Sequence, residues 1–202
     1  MLGLPKTTEI SKRLPKNAIY SKFQVNNIIK EKMDKDISRI TIVNEVSSLK
    51  VSIEAGKEIK SFFVIEVVLK RKDYDEKNII TISKLIPQNL IMVLIFENKA
   101  KIAVYHTKLM QTDWKLLNEL SIKFIGLDLD KVWENIIIQI GNLKIEQGNS
   151  LKEQIILDEK RTKIKKEIKR LEKIARNEVQ PKKKFDIVNE IKKLTKQLSE
   201  VN

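Results

Sequence analysis

The chain has 202 residues, of which 42% are hydrophobic and 33% are charged, a composition typical of a folded protein rather than of a disordered or fibrous one. It contains no cysteine, which excludes disulfides, thiolate metal sites and cysteine nucleophiles and favours a reducing compartment. Forty Lys and Arg residues against twenty-seven Asp and Glu residues give a net charge of +13, so the chain attracts polyanions or acidic proteins. The lysine bias of an AT-rich genome would explain the same charge without any nucleic-acid binding.

The apolar residues of the chain do not form a targeting or membrane segment. The N-terminal residues lack the charged and apolar regions of a secretory signal peptide. Even the apolar run over residues 90–96 ends at Glu97 and is far shorter than the roughly 20 residues needed to cross a bilayer. We therefore expect a soluble, cytoplasmic protein that has no membrane partner.

The first third of the chain is predicted to contain an irregular lead-in, one helix and two strands. Pro5 and Pro15 each stand in a Leu-Pro-Lys context and favour extended backbone, so little regular structure is expected around them. Residues 21–35 carry apolar side chains at three- and four-residue intervals, which predicts a short amphipathic helix. The β-branched residues of 37–46 predict a strand, and the continuous apolar run of 59–69 predicts a strand at the centre of a sheet.

The middle of the chain is predicted to form a helix followed by a β-hairpin. Apolar residues recur at helical spacing over residues 79–86 until Pro87 ends the pattern. Residues 90–96 and 100–105 are rich in apolar β-formers and flank a short polar tip, which is typical of two antiparallel strands.

One more helix is predicted over residues 128–140. Either Asp128 or Asp130 is suited to be its N-cap, and Gly141 is suited to be its C-cap. With the preceding elements, this helix predicts an α+β domain over residues 1–147, in which a mixed or antiparallel sheet is flanked by helices.

The remaining residues, 148–202, are predicted to form a C-terminal antiparallel helical hairpin that resembles a coiled coil. Two amphipathic segments are separated by Pro181, and each carries a narrow apolar seam that can be buried only when the segments fold back on each other. In the second segment the seam repeats at spacings of four, three, four and three residues, at Ile187, Ile191, Leu194, Leu198 and Val201. We expect a protein partner to bind this seam through Leu157, Ile164, Ile168, Leu171, Ile187, Ile191, Leu194 and Leu198.

The hairpin is also the more basic part of the chain. From Leu151 onward, sixteen Lys and Arg residues stand against nine Asp and Glu residues, a net charge of +7. The candidates for nucleic-acid binding are Lys165, Lys166, Lys169, Arg170, Lys182, Lys183 and Lys184. The alternatives are that these cations merely solvate a self-contained coiled coil, and that the apolar seams form a homodimer.

The sequence contains no recognisable catalytic or cofactor motif. His106 is the only histidine, so one chain cannot form a histidine cluster for a metal, and a Ser-His-Asp triad has no supporting pattern. The five glycines form neither of the common phosphate-binding loops. Trp114 and Trp133 could stack on bases, but core packing explains both. We expect no cofactor, no metal ion and no catalytic residue.

A metal-dependent nuclease is the remaining enzymatic alternative. Several carboxylates and lysines lie near the predicted central strands, at Glu45, Glu54, Glu58, Glu66, Lys70 and Lys72. Such enzymes hold a divalent metal with carboxylates beside a lysine. The four-residue separation of Glu66 and Lys70 disfavours this arrangement, because adjacent positions on one face of a strand are two residues apart.

Short motifs along nearly the whole chain resemble, in order and spacing, those of an uncharacterised bacterial family, the domain of unknown function family 4391. The matching pieces are Leu4-Pro-Lys6 with Leu14-Pro-Lys16, the strand at 59–69, Ile82-Ser-Lys-Leu-Ile-Pro87, Thr112-Asp-Trp114, Gly126-Leu-Asp-Leu-Asp130, Trp133-Glu-Asn135 and Arg176-Asn-Glu-Val-Gln180. The chain departs from the family at Lys60-Ser61, where a more acidic lead-in is expected, and this departure further disfavours a metal site.

The resemblance implies a role in DNA handling but brings no catalytic residues with it. Proteins resembling this chain tend to be encoded beside helicases and DNA methyltransferases in restriction-like or defence gene clusters. We therefore expect a non-catalytic accessory subunit that docks a larger helicase, methyltransferase or nuclease, with DNA as a second partner. The alternatives are a free-standing nucleic-acid-binding protein and, less favoured, the nuclease described above.

Overall fold

The computed structural model describes residues 2–200, and the chain divides into two compact units, Met1–Leu143 and Lys144–Asn202. The sequence patterns had indicated a division after residue 147. Among the described residues, no helix combines the length and the apolar character that crossing a membrane requires.

The first unit is built on a seven-stranded sheet. The strands are β1 (Glu9–Leu14), β2 (Ile37–Ser47), β3 (Ser61–Leu69), β4 (Leu90–Phe96), β5 (Lys99–Tyr105), β6 (Leu109–Gln111) and β7 (Lys115–Leu116). They follow the order β1-β2-β3-β4-β5-β6, and β7 pairs with β5. The pairing of β3 with β4 is parallel, whereas the other pairings between described strands are antiparallel. The predicted α+β class with a mixed sheet is confirmed.

Three helices pack on one face of this sheet. The helices of the first unit are α1 (Lys16–Lys22), α2 (Asn27–Asp36), α3 (Glu76–Leu85) and α4 (Leu129–Gly141). On one face, Ile65 and Val67 of β3 belong to a buried cluster that includes Ile19 of α1, Met33 of α2 and Ile79 of α3. We call this side of the sheet the α1–α3 face.

Helix α4 packs on the opposite side of the sheet, which we call the α4 face. Successive side chains of a strand point to opposite faces, so Phe62 of β3 points away from the α1–α3 face. Its ring centroid lies 5.3 Å from that of Trp133 on α4 and 6.0 Å from that of Phe124. Trp133 is buried, as expected for a core residue.

A buried carboxylate joins the end of α2 to the beginning of α3. Asp36 is 1% exposed and accepts hydrogen bonds from Arg71 Nε at 2.6 Å, from the backbone NH of Asp75 at 2.8 Å and from Asn78 Nδ2 at 2.8 Å. Burial alone would raise the pKa of Asp36, but these hydrogen bonds outweigh burial and hold the pKa below its usual range.

The two aspartates at the start of α4 have different roles. Asp128 is the N-cap, because its Oδ1 accepts a hydrogen bond from the backbone NH of Lys131 at 2.8 Å. Asp130 reaches a distant loop instead and accepts hydrogen bonds from the backbone NH groups of Lys57 and Ile59 at 2.6 and 2.7 Å. The left-handed position at the other end of the helix is Asn142, with φ of 46°, so the prediction of Gly141 as the C-cap is wrong by one residue.

Two predictions for the N-terminal segment are wrong. The segment between Pro5 and Pro15 contains the regular edge strand β1, which is held by antiparallel pairing with β2. The single helix predicted over 21–35 is two helices, because Gln24 adopts a left-handed conformation with φ of 48°. Asn26 then begins α2 as its N-cap.

The second unit is a helical hairpin of α5 (Leu151–Asn177) and α6 (Pro181–Glu200). Residues 178–180 connect the helices, and Arg170 interacts electrostatically with Glu190 across the pair, as an antiparallel arrangement requires. The predicted hairpin is confirmed. Pro181 is the first residue of α6, a position where its missing NH has no helical partner to lose.

Candidate interaction surface of the helical hairpin

A buried amide fixes the start of the hairpin. Gln154 of α5 is 1% exposed, and its Oε1 accepts hydrogen bonds from the backbone NH of Glu146 and from Asn149 Nδ2, both at 3.1 Å. Arg161, about two turns further along α5, forms an ion pair with Glu146 at 2.5 Å. These contacts hold residues 146–149 against α5. Sequence reasoning missed them, because a glutamine within a charged helix carries no signal of burial.

The apolar residues proposed to bind a partner all lie on the two helices of the hairpin. Leu157, Ile164, Ile168 and Leu171 lie on α5, and Ile187, Ile191, Leu194 and Leu198 lie on α6. Ile164 and Leu171 are buried in the chain, and the other six are half-buried. Val201, which completes the seam in the sequence, lies outside the described residues.

Helix α6 keeps the described part of its apolar seam in partial contact with solvent. Between Pro181 and Ser199 no side chain is fully buried, and the seam residues are half-buried. An amphipathic helix within a completed bundle buries the centre of its apolar stripe. The apolar stripe of α6 therefore has surface left for a further contact.

Exposed apolar side chains surround the turn between the two helices. Val179 is 89% exposed, Phe185 is 64% exposed and Ile174 is 38% exposed. We call these three residues the tip patch. Sequence reasoning did not select them, although Phe185 is the one aromatic residue of the hairpin and stands two residues before the seam begins at Ile187.

The proposed nucleic-acid-binding cations fall into two groups. The exposed lysines have no ion-pair partner among the described residues, and they are Lys165, Lys166, Lys169, Lys182, Lys183 and Lys184. Arg170 differs, because its Nε and Nη2 donate hydrogen bonds to Glu167 at 2.9 and 2.6 Å. The hydrogen bond with Glu167 raises the pKa of the Arg170 guanidinium above its usual range. Arg170 is therefore occupied within the hairpin, while the six lysines face solvent.

Lys182, Lys183 and Lys184 form the first turn of α6. This is the positive end of the helix dipole, where cations are unfavourable and acidic residues are preferred. No acidic residue lies in that turn to compensate. The three lysines therefore make the N-terminus of α6 a strongly positive part of the hairpin surface.

The carboxylates considered for a nuclease do not converge. Glu45 is paired in register with Phe63, on the α1–α3 face, whereas Glu66 is paired with Thr41, on the α4 face. Glu45 and Glu66 therefore cannot share one metal ion. Within residues 2–200, no group of three or more metal-ligating side chains lies close enough together to hold a metal.

The fold and the hairpin define a class of protein in which a mixed-sheet α+β domain carries a basic helical hairpin with an incompletely buried apolar seam. The family model described as "Domain of unknown function (DUF4391)" matches residues 2–198, and the chain belongs to this family. The match includes both units, which confirms the resemblance based on the short motifs. Comparisons with curated proteins and with solved structures found no significant match.

Proposed function

We propose that this protein is a non-catalytic docking subunit of a bacterial DNA-targeting defence or modification complex in the cytoplasm. In this proposal the hairpin α5–α6 binds a larger partner, which is a helicase, a methyltransferase or a nuclease. The domain of the first unit supports the hairpin and does not itself carry out a reaction.

One observation carries this proposal above the others. The seam residues Ile187, Ile191, Leu194 and Leu198 lie along one stripe of α6, yet none of them is fully buried. The lysine bias of an AT-rich genome explains the positive charge of the hairpin. It does not explain a regular apolar stripe on a helix that its neighbour covers incompletely. Helices of this kind are recognised by laying their apolar face against a groove or another helix.

The surroundings of the seam support a partner with an acidic contact surface. The tip patch adds exposed apolar area beside the turn, and the lysines of the first turn of α6 border it. Complementary charge speeds encounter and fixes the orientation of two proteins, while the apolar contacts supply most of the affinity. We therefore expect acidic residues around an apolar contact site on the partner.

Co-purification of the tagged full-length protein from its own host tests the proposal. The wild-type chain should recover a helicase, methyltransferase or nuclease, and the double substitution Ile191→Glu and Leu194→Glu should lose it. The matched control is Thr195→Glu with Gln197→Glu, which adds the same charge at exposed positions of the same helix. Retention of the enzyme by the seam variant, or recovery of no DNA-acting enzyme, would contradict the docking role.

Light scattering distinguishes docking from self-association. A docking subunit remains a monomer when it is purified alone. A homodimer that dissociates on Ile191→Glu and Leu194→Glu would assign the seam to a second copy of the chain instead, and the docking proposal would then be wrong.

A free-standing nucleic-acid-binding protein is the second candidate, and it is favoured by the six hairpin lysines that have no ion-pair partner within the part of the chain that the structure describes. Each phosphate contact releases condensed counterions, so the affinity for duplex DNA should fall steeply as salt is raised. Fluorescence anisotropy would measure that slope for the wild type and for the triple substitution of Lys182, Lys183 and Lys184 by Gln. Binding that is absent, or insensitive to salt, rejects this candidate.

A further inference from the structure

An open groove lies on the α1–α3 face, near the edge of the sheet formed by β1. It has a volume of about 510 Å³, within the range of small-molecule sites, which is about 300–1,000 Å³. Ile42 of β2 and Phe63 and Ile65 of β3 form part of its floor, and Ala18 and Phe23 border it on the side of α1. Ile42, Phe63 and Phe23 are half-buried, so this part of the sheet is covered incompletely.

Charged side chains of both signs border the groove, but they are not equally available. Lys12 of β1 and Lys22 at the end of α1 line it and are exposed. Neither lysine has a carboxylate partner among the described residues, and Lys22 Nζ lies over the ring of Phe23, 5.3 Å from its centroid. The carboxylate that lines the groove, Glu45, is already paired with Lys50 at 2.8 Å. The groove therefore presents an apolar floor and two unpaired positive charges.

We propose that this groove binds a free long-chain carboxylate. The acyl chain lies along the aliphatic floor, where burial of each methylene is favourable. The carboxylate pairs with Lys12 or Lys22, whose positive charges have no other partner in the groove. The inference concerns the first unit alone and stands independently of the docking role of the hairpin.

The lining favours an acyl chain over a nucleotide. A bound base needs polar groups placed to hydrogen-bond its edge. Apart from the lysines, the polar side chains of the lining are Glu45, which is already paired, and Gln88. The rest of the lining is aliphatic or aromatic, as an unbranched hydrocarbon chain requires.

Titration of the full-length protein with dodecanoate tests the proposal, using calorimetry for the affinity and NMR for the location. Dodecanoate is expected to bind at one site and to shift the resonances of Ile42, Phe63 and Ile65. Dodecyltrimethylammonium has the same chain with a positive head group, so it should bind much more weakly. Adenosine monophosphate tests the nucleotide alternative directly.

Three variants separate a built site from attraction to a basic protein. Lys12→Gln and Lys22→Gln should together weaken dodecanoate binding by about ten-fold, as expected when charge-assisted hydrogen bonds are lost. Ala18→Phe places a ring over the groove from an exposed helix position and should abolish binding. The matched control, Lys32→Gln with Lys35→Gln, removes two charges from exposed positions of α2 that do not line the groove, and it should change nothing.

Three results would overturn the proposal. One is dodecanoate binding that persists unchanged both in the double variant of Lys12 and Lys22 and in Ala18→Phe. Another is a set of shifts concentrated on α5 and α6 rather than on the groove. The third is a groove that takes adenosine monophosphate but not dodecanoate, which would assign it to a nucleotide.

Discussion

A Cβ atom placed on Gly56 would lie 2.1 Å from Oδ1 of Asp130. The Asp130 carboxylate thus occupies the space that a side chain at position 56 would fill. In this position the carboxylate accepts hydrogen bonds from the backbone NH groups of Lys57, Glu58 and Ile59. The loop before β3 is thereby attached to the first turn of α4.

Gly56→Ala should therefore destabilise the first unit. The added methyl group has to displace either the carboxylate or the loop backbone, and overpacking of this kind costs about 1–3 kcal/mol. Denaturant unfolding measures the change. Lys57→Ala is the control, because it keeps the backbone NH that donates a hydrogen bond to Asp130. This substitution should leave the free energy of unfolding nearly unchanged. A Gly56→Ala protein as stable as the wild type would show that the carboxylate does not need this space.

Asp36→Ala should also destabilise the first unit. The substitution leaves the buried amide of Asn78, which is 3% exposed, without its carboxylate acceptor, and an unsatisfied buried donor costs about 1–3 kcal/mol. Urea unfolding at neutral pH measures this loss. Glu31→Ala provides the comparison, because Glu31 is an exposed carboxylate on the same helix. An equal loss in the two variants would contradict the role given to burial.

Asp36 should also make the stability of the first unit depend on pH. The pKa of Asp36 is lower in the folded state than in the unfolded state, so its contribution is complete above the unfolded pKa of about 4 and is lost as the pH falls through the folded pKa. Stability measured from neutral pH downward should thus decline less steeply in Asp36→Ala than in the wild type. Parallel curves would show that Asp36 does not contribute to this decline.

Within the hairpin, burial should decide the effect of two similar substitutions on α5. Leu171 is 4% exposed, whereas Ile174 is 38% exposed. Leu171→Ala creates a cavity and should cost about 2–5 kcal/mol, and Ile174→Ala should cost much less. Thermal unfolding followed by the helical circular dichroism signal compares the two. Similar losses would place Ile174 inside the hairpin rather than on its surface.

Replacing Lys182, Lys183 and Lys184 with Gln should stabilise α6. The substitutions remove three positive charges from the positive end of the helix dipole. The melting temperature should rise at low ionic strength, and the gain should shrink in high salt, which screens exposed charges. Gln at the mid-helix positions Lys192 and Lys193 is the control. A gain of the same size in the control would exclude the dipole as its cause.

Elements with a strong local pattern were predictable from the sequence. Strands β4 and β5 lie within a residue of the predicted hairpin, because their apolar β-formers are continuous and the tip between them is polar. The hairpin of α5 and α6 followed from its spacing and from Pro181. In each case the residues that determine the element are neighbours along the chain.

Features that depend on distant residues were not predictable. Strand β1 contains three charged residues among its six, and its pairing with β2 determines its conformation. Strict alternation along β2 would place Glu45 on the same face as Thr41, which is the face that carries Glu66. An irregularity in the pairing between Ile42 and Asn44 moves Glu45 to the other face, so Glu45 and Glu66 lie on opposite sides of the sheet.

Only the local part of the candidate surface was predictable from the sequence. The seam of α6 is a local repeat and was visible in the sequence. The burial of Ile164 and Leu171, and the exposure of Val179 and Phe185, depend on how the two helices pack. No pattern along one helix contains that information.

The length of α5 determines how far the hairpin can reach. A helix rises about 1.5 Å per residue, so the 27 residues of α5 extend about 40 Å, which exceeds the diameter of a small domain. Val179, just past the end of α5, is thus separated by that distance from the cap at Ser150. Removing seven residues from each helix would shorten the hairpin by about 10 Å while keeping the apolar stripes in phase. In the docking role proposed above, a partner bound at the tip patch is held about 40 Å from the cap at Ser150.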